Sequence, residues 1–313
     1  MQENIQKCVE FLTVDLEREG QRLDNFLMSY LRNLPKSRLY RLLRTGQVRI
    51  NKGRVKPNYR LKCGDIIRIP PLSLPVRDIP PIISTSLKKL LTKSIIFENE
   101  NLLVLDKPAG LAVHGGSGLS LGLIESMRQI RPDCNHLELI HRLDKETSGC
   151  LLIAKKRSIL LECHAALREK TTQKIYQAIV IGKWNKGIHS VNAPLKKNIL
   201  KSGERVVSSC PDGKASETKF ELLKYNKNLS YIKAVPITGR THQIRVHAKL
   251  AGHPILGDSK YGDFNLNSEM FRKGFKGMFL HAKSINIKIQ NQCFEFESNL
   301  PASWYKILSE IEV

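Results

Sequence analysis

Residues 141–150 read HRLDKETSGC, and the apolar run LLIAKK follows them directly. The apolar run is typical of a buried strand, and the T-S-G triplet in front of it favours a turn. Asp144 is therefore expected on a turn at the edge of the core, between Arg142 and Lys145. One interpretation is that Asp144 caps its own turn. The other is that a carboxylate held at a rigid strand end acts as a nucleophile or base.

The chain after residue 93 is predicted to be mostly strand. LELIHRL, CLLIAKK, KIYQAIVIGKW and LSYIKAVPI are predicted strands, and HQIRVHAKLAG is predicted as a strand or a strand-to-helix joint. FLHAKSINIKIQ and QCFEFES predict a late hairpin, while SILLECHAALREK predicts a helix. Long strand runs with few helices indicate an α+β domain with an antiparallel or mixed sheet.

The composition indicates a globular protein with a polyanionic partner. A length of 313 residues suggests about two domains, and 51 Lys and Arg against 29 Asp and Glu give a formal net charge of +22. No apolar run is long enough to span a membrane, and the N-terminus is neither a signal nor a transit peptide. Seven cysteines without a C-x-x-C spacing disfavour disulfide frameworks and zinc sites. We expect a cytoplasmic protein without a metal or cofactor.

The positive charge is concentrated near the N-terminus. RLDNFLMSYL and KSRLYRLLR each predict an amphipathic helix, and QVRIN and DIIRIP predict short strands. From residue 22 to residue 68 there are 13 Lys or Arg and only two acids, a net charge of +11. A solvated basic helix face is the alternative, but clustering of this kind favours binding to a nucleic-acid backbone.

The basic segment resembles the S4 RNA-binding domain, which implies a pair of helices lying on structured RNA. We predict an S4 domain over residues 20–70, a proline-rich linker over 71–90 and a catalytic domain over 91–313. The predicted RNA-binding residues are Lys36, Arg38, Arg41, Arg44, Arg49, Lys52 and Arg54.

Several ordered motifs of the second domain resemble the RluA family of pseudouridine synthases. These motifs are HRLDKETSG, KIYQA, PITGRTHQIRVH, GHPILGDSKYG and FLHA. The resemblance implies isomerisation of uridine to pseudouridine in 23S-type large-subunit ribosomal RNA, with flipping of the target base and with no cofactor or metal. It also favours a monomer.

The resemblance assigns roles to five residues. Asp144 matches the essential nucleophile or base, although attack on the ribose, attack on the uracil ring and abstraction of a sugar proton remain alternatives. Tyr176 matches a tyrosine that stacks on the uracil, and Arg245 matches an arginine that pairs with the catalytic aspartate. Ile244 matches an apolar wall, and Arg142 matches a contact to RNA. The residues alone also allow an ordinary core tyrosine and surface salt bridges.

Two other sequence patterns, a G-x-S-x-G spacing and a pair of histidines, do not predict a hydrolase site or a metal site. The G-x-S-x-G spacing at 118–122 lacks the preceding strand of a hydrolase nucleophile elbow. His242 and His247 would face opposite sides of a strand, so we expect structural hydrogen bonds rather than a shared metal. A binding protein that retains this fold without catalysis is the second functional hypothesis, and Asp144 discriminates between the two.

Overall fold

The computed structural model describes residues 3–6, 8–31, 34–75, 81–115, 121–134, 136–199 and 205–311. The chain divides into two compact units, Met1–Ile82 and Ile83–Val313. Most of the G-x-S-x-G signal at 118–122 lies outside the described residues.

The first unit combines two helices with short strands. In chain order its elements are β1 (Glu3–Gln6), β2 (Glu10–Thr13), a 3-10 turn (Leu16–Arg18), α1 (Leu23–Tyr30), α2 (Lys36–Arg44), β3 (Arg49–Ile50), β4 (Ile66–Ile69) and β5 (Leu72–Pro75). An antiparallel sheet has the order β2-β4-β3, and β1 pairs with β5. The apolar faces of α1 and α2 are buried in one core, as their periodicity predicts.

The second unit is built on one large sheet. Its elements are α3 (Thr85–Lys93), β6 (Ile95–Glu98), β7 (Leu102–Lys107), α4 (Leu123–Ile130), β8 (Glu138–Leu139), β9 (Ser148–Ala154), α5 (Arg157–Glu169), β10 (Gln173–Ile181), β11 (Ser190–Asn192), β12 (Leu195–Ile199), β13 (Arg205–Ser209), β14 (Glu217–Tyr225), β15 (Leu229–Pro236), α6 (Gln243–Leu250), α7 (Phe264–Arg272), β16 (Leu280–Ile289), β17 (Gln292–Glu297) and α8 (Ala302–Leu308).

The order of the large sheet is β11-β14-β15-β10-β16-β9-β7-β6, with β17 on β16 and β8 on β9. Its pairs are antiparallel except for β9 with β16, which run parallel. The predicted α+β class with a mixed sheet is therefore confirmed, as are the late hairpin β16–β17 and the helix α5.

The predicted strand LELIHRL is wrong beyond its first residues, because only Glu138–Leu139 pair as β8. The pairing continues to Ile140, whose amide donates to the Leu152 carbonyl at 3.0 Å. The Leu152 amide then donates to Nε2 of His141 at 3.2 Å. The His141 side chain thus accepts the bond that a backbone carbonyl would accept in a continuing strand. The backbone is therefore free to turn at Asp144.

The segment HQIRVHAKL is a helix, so treating His242 and His247 as residues of a strand was wrong. Apolar residues at 244, 246, 248 and 250 alternate as they would in a strand. In the structure residues 243–248 are all buried, so no polar face marks the helical period. The Gln243 side chain accepts the Arg240 amide at 3.0 Å and thereby holds the turn that leads into α6.

The segment predicted as a linker, residues 71–90, contains regular structure at both ends. β5 occupies Leu72–Pro75, and α3 starts at Thr85, where Ser84 Oγ accepts the Leu87 amide at 3.2 Å. β2 also precedes the predicted start of the first domain at residue 20. Proline content alone did not reveal these short elements, and the predicted boundaries stay predictions. Within the part of the chain that the structure describes, no helix is long and apolar enough to cross a membrane.

Gly149 lies where β9 meets β16, at the end of the Asp144 turn. Its φ is +107°, and a Cβ at this position would lie 2.2 Å from the Ala282 carbonyl oxygen. Gly149 and Ala282 are partners in the parallel β9–β16 register. Only glycine therefore permits the close approach that closes the sheet behind the turn.

We predict that Gly149→Ala destabilises the second unit by about 3–5 kcal/mol, because both the left-handed backbone and the clash oppose it. Denaturant unfolding followed by tryptophan fluorescence measures this, since Trp184 and Trp304 both belong to the second unit. Gly274→Ala is the matched control, because Gly274 also has a positive φ (+90°) but has open space around it. It should cost only about 1–2 kcal/mol. Equal losses for the two variants would contradict the proposed constraint.

Candidate active site

A cleft of about 1020 Å³ opens in the second unit beside the Asp144 turn. Its walls come from the 140–147 turn, the end of α5 with the start of β10, and the 235–245 segment that leads into α6. All five residues predicted for catalysis and substrate binding line it: Arg142, Asp144, Tyr176, Ile244 and Arg245. Residues about 100 positions apart in sequence therefore meet in one cavity.

Asp144 is held by an arginine that is itself held by a second carboxylate. Nη1 of Arg245 donates to Oδ2 of Asp144 at 3.0 Å. Its Nε and Nη2 donate to the two oxygens of Asp258 at 2.7 and 2.8 Å. The fork that grips Asp258 fixes the guanidinium plane, so the remaining nitrogen points at Asp144.

Burial and charge act in opposite directions on this pair. Burial on its own would raise the pKa of Asp258, but the hydrogen bonds and charge of Arg245 hold that pKa below its usual range. Burial would lower the pKa of Arg245, but Asp258 and then Asp144 raise it. The Arg245–Asp258 pair is therefore fully ionised at neutral pH, and it presents one fixed positive charge to Asp144.

Asp258 is fixed by the backbone as well. Its Oδ1 accepts the amides of Lys260 and Tyr261 at 2.9 and 3.1 Å. The Asp258 amide in turn donates to the Ile255 carbonyl. These bonds fold the GDSKYG segment into a tight loop under α6 and leave the carboxylate almost no exposed surface.

His242 adds a second nitrogen on the same side of Asp144. Its Nε2 lies 3.8 Å from Oδ2 of Asp144, and its Nδ1 lies 2.8 Å from the Tyr261 hydroxyl. That hydroxyl accepts the Val207 amide at 2.9 Å, which leaves its own proton free for Nδ1. Burial lowers the pKa of His242. In a neutral imidazole Nδ1 accepts the Tyr261 proton, so the ring proton lies on Nε2, which faces Asp144 beyond hydrogen-bond distance.

The turn that carries Asp144 rests on a buried lysine. Nζ of Lys107 donates to the carbonyls of Pro108, Leu111 and Lys145 at 2.8, 2.8 and 2.9 Å. Three acceptors match the three protons of an ammonium group, although burial lowers the pKa of Lys107 to about 8. The Gly110 amide also donates to the Lys145 carbonyl at 2.9 Å. The backbone directly after Asp144 is thereby fixed from two sides.

Tyr176 lies on β10, across the cleft from the turn. It pairs with Ala234 of β15 and Ala282 of β16, two small residues that leave room around the ring. The side chain is half-buried and packs against both neighbouring apolar clusters. Burial, and after it the charge of Asp144, raise the pKa of Tyr176 above its ordinary value. Its hydroxyl therefore stays protonated at neutral pH.

The other two predicted residues, Ile244 and Arg142, differ in burial. Ile244 is 7% exposed, forms part of a buried cluster and lines the cleft with an apolar surface. Arg142 is exposed at the edge of the same cleft. These positions agree with an apolar wall and a surface contact, respectively.

His247 makes structural hydrogen bonds, as predicted. It is fully buried, its Nδ1 lies 2.9 Å from the Thr218 hydroxyl, and its Nε2 lies 3.1 Å from the Ala193 carbonyl oxygen. In the described part of the chain, no group of three or more His, Cys, Asp or Glu side chains is placed to hold a metal ion.

The predicted RNA-binding residues lie on the surface of the first unit. Six of the seven are exposed and Arg38 is half-buried: Lys36, Arg38, Arg41, Arg44, Arg49, Lys52 and Arg54. The two acids of this segment, Asp24 and Asp65, are 2% and 5% exposed. Asp24 accepts bonds from Arg22 and Tyr40, and Asp65 from Asn51 and Tyr59. Because both acids are buried, the exposed charged side chains described between residues 22 and 68 are all Lys or Arg.

Sequence reasoning missed three side chains behind the predicted ones. Asp258, His242 and Tyr261 were not assigned to the site, although all lie in or beside the motifs GRTHQIRVH and GHPILGDSKYG. A buried arginine needs an acid partner, and this is the signal that could have directed attention to the aspartate in GDSKYG.

Comparison with known proteins agrees with these observations. The family model for RNA pseudouridylate synthase matches residues 101–250, and the S4 domain model matches residues 21–67. The chain is 52% identical to ribosomal large subunit pseudouridine synthase C from Pasteurella multocida, over 91% of this chain and 87% of that protein. It is 47% identical to the protein of that name from Haemophilus influenzae, over 98% and 96% of the two chains.

Solved structures show the same fold. The human RNA pseudouridylate synthase domain containing 4 superposes with a TM-score of 0.60 at 25% identity, covering 73% of this chain and 97% of that one. The human domain containing 1 gives a TM-score of 0.57 at 25% identity, covering 66% and 83%. The resemblance seen in the sequence is confirmed: the chain belongs to the RNA pseudouridylate synthase family, whose members are isomerases, and it carries an S4 domain ahead of the synthase domain.

Proposed function

We propose that this protein isomerises specific uridines to pseudouridine in large-subunit ribosomal RNA, with Asp144 as the catalytic nucleophile or base. The observation that carries the proposal is the charge chain Asp258–Arg245–Asp144 at the base of the cleft. Relatives about half identical to this chain are named for the large ribosomal subunit. A protein that only binds RNA has no use for a carboxylate held in this way.

The reaction exchanges one bond of the base for another. The bond from ribose C1′ to uracil N1 breaks, the uracil turns, and a bond from C1′ to C5 forms, after which the C5 proton leaves. In RNA the target base is stacked, so it must first leave the stack at a cost of roughly a few kcal/mol. The cationic cleft and the ring of Tyr176 offset part of that cost, since stacking on an aromatic ring contributes about 1–3 kcal/mol per base.

Each residue of the cleft has a proposed task in this scheme. Asp144 reacts with the nucleotide, and Arg245 orients its carboxylate from below. Tyr176 stacks on the uracil, and its protonated hydroxyl is available for proton transfer. Ile244 supplies an apolar wall, and Arg142, at the edge, contacts the RNA from which the base has left. Asp258 does not touch the substrate; it positions Arg245.

The exposed basic residues of the first unit are proposed to bind the RNA backbone. The seven predicted RNA-binding residues are cations at the surface of this unit, and both acids of the segment, Asp24 and Asp65, are buried. This arrangement suits contact with several backbone phosphates. Such contacts hold the enzyme on structured RNA without selecting a base. Selection of the uridine then falls to the cleft of the second unit.

We predict that Asp144→Asn lowers the rate of pseudouridine formation by at least about 10³-fold, because the nucleophile or base is lost. The affinity for RNA should not weaken, because the change removes a negative charge. Tritium release from a large-subunit rRNA transcript labelled at uridine C5 measures the rate, and filter binding measures affinity. Asp106→Asn, the same chemical change on neighbouring β7, should remain active. An active Asp144→Asn enzyme would refute the mechanism and favour a non-catalytic RNA-binding role.

We predict that Asp258→Asn costs about 3–5 kcal/mol of stability at pH 7, because Arg245 loses the partner that compensates its buried charge. The pKa of Asp258 is held low in the fold, so this stabilisation is complete above the unfolded-state pKa of about 3.9. It is lost as the pH falls through the lower folded-state pKa. The difference between wild type and variant should therefore shrink towards pH 2.

Activity provides a second readout for Asp258. Because a loosened Arg245 no longer fixes Asp144, kcat should fall more than KM rises in the Asp258→Asn variant. Asp133→Asn, on an exposed turn of the same unit, is the control and should change stability by less than about 0.5 kcal/mol. A stability difference that is constant from pH 7 to pH 2 would contradict the ionised pair.

We predict that replacing Arg38, Arg41 and Arg44 with Glu weakens binding to rRNA by at least about 10-fold at 0.1 M salt. The slope of log Kd against log salt concentration should also fall by about 0.7–0.9 for each phosphate contact that is lost. The triple variant Lys224→Glu, Lys227→Glu and Lys288→Glu makes the same change in net charge on exposed positions of the second unit. An unchanged slope in the arginine variant, or equal effects in both, would argue against this surface.

A further inference from the structure

Two polar groups at the start of β10 line the cleft without a role in the scheme above. Lys174 and Thr172 precede Tyr176 at alternate positions, and all three line the cavity. Alternate residues of a strand share a face, so Lys174 lies on the side of β10 that carries the tyrosine ring. Thr172 lies just before the strand and lines the same cleft. Lys174 and Tyr176 are about 6.8 Å apart along the strand, from a rise of about 3.4 Å per residue.

The ammonium group of Lys174 has no polar partner among the residues that the structure describes. Its side chain is half-buried and reaches from β10 to the 237–241 segment, where Nζ ends 3.7 Å from the Cβ position of Gly239. Among the residues that the structure describes, no hydrogen bond or ion pair to this ammonium group is found. Burial lowers the pKa of Lys174. A partly dehydrated cation without a counter-charge is costly unless an anion joins it.

Thr172 is an independent second observation. Its hydroxyl oxygen is buried, yet it has no hydrogen-bonding partner among the described residues. An unmatched buried hydroxyl is uncommon in folded proteins and calls for an explanation, of which a bound partner is one. Thr172 lines the same cleft two residues before Lys174, with its hydroxyl oxygen just beneath the surface.

The remaining charges of the cleft favour an anion. Seven Lys or Arg and one carboxylate occur among its described lining residues. The carboxylate is Asp144, which Arg245 already engages. Lys174 acts electrostatically on His141, and burial together with this lysine keeps His141 neutral by lowering its pKa to about 3. No acidic side chain of the cleft is therefore left to neutralise Lys174.

We propose that Lys174 and Thr172 form a phosphate-binding subsite that holds the RNA backbone next to the flipped uridine. This inference rests on the proposed function and adds to it. The uracil ring is neutral, so in such a substrate the backbone phosphate is the group that neutralises a desolvated cation. With Tyr176 on the base and Lys174 on a phosphate, one strand grips both ends of the same nucleotide. Lys174 and Thr172 are positioning residues, since neither reacts.

Lys174→Met tests the subsite because it keeps the length and apolar bulk of the side chain but removes the charge. On a transcript of large-subunit rRNA, kcat/KM should fall about 10- to 100-fold, and Lys174→Arg should recover most of it. The slope of log Kd against log salt concentration should fall by about 0.7–0.9, one phosphate contact. Lys288→Met removes an equal charge from an exposed position on β16 and should change neither quantity.

Thr172→Val separates a binding role from a structural one. It deletes an unmatched buried hydroxyl at nearly constant shape, so the variant should be as stable as wild type or more stable. Its kcat/KM should nevertheless fall about 3- to 10-fold, and Thr172→Ser should restore it. A structural threonine would instead lose stability and activity together.

The outcomes separate this inference from the proposed function. Full activity of Lys174→Met, or loss that Lys174→Arg does not recover at an unchanged salt slope, overturns the phosphate subsite. The wild-type rate on the transcript decides the proposed function on its own. Binding slopes measured in the Asp144→Asn background, where the RNA is not converted, decide the subsite whichever way that rate falls.

Discussion

The fixed guanidinium of Arg245 is the constraint on which the rest of the site depends. Three of its nitrogens are engaged, two by Asp258 and one by Asp144. Asp258 is buried and accepts hydrogen bonds from two backbone amides, so its position is fixed. The Arg245 guanidinium, which is bound to it, therefore cannot swing out into solvent or rotate away from Asp144. The Asp144 carboxylate, at the edge of the core, thereby acquires a defined position and a compensating charge without itself being deeply buried.

The fold supplies the matching constraint from the other side. β9 and β16 meet in parallel only because Gly149 admits the Ala282 carbonyl. Lys107 and Gly110 then fix the carbonyl of Lys145, one residue after Asp144. The turn is thus fixed by the central strands, while α6 and the GDSKYG loop carry Arg245 and Asp258. These two parts of the site meet in the charge chain Asp258–Arg245–Asp144. A displacement of either part would therefore change the position of the Arg245 guanidinium relative to the Asp144 carboxylate.

The sequence predicted the parts of this site that lie in compact motifs. Asp144, Tyr176 and Arg245 were assigned to the site because HRLDKETSG, KIYQA and PITGRTHQIRVH resemble motifs of a known family. Taken alone, these residues also allowed a turn cap, a core tyrosine and a surface salt bridge. Asp258 was missed because its partner is 13 residues away and buried, and buried pairing leaves no periodic signal. The helix α6 was misread for a related reason: six successive residues, 243–248, are buried, so the helix has no polar face there to reveal its period. Lys174 and Thr172 look like ordinary strand residues until their lack of partners is seen.

The central claim is that this chain makes pseudouridine in large-subunit rRNA through Asp144, and mapping of pseudouridines on that RNA tests it most directly. The RNA would be taken from cells with the protein, from cells without it, and from deficient cells that express either wild type or Asp144→Asn at matched levels. We predict that defined uridines lose modification when the protein is absent, regain it with wild type, and stay unmodified with the variant. An identical map in all four samples, or restoration by the variant, would contradict the account.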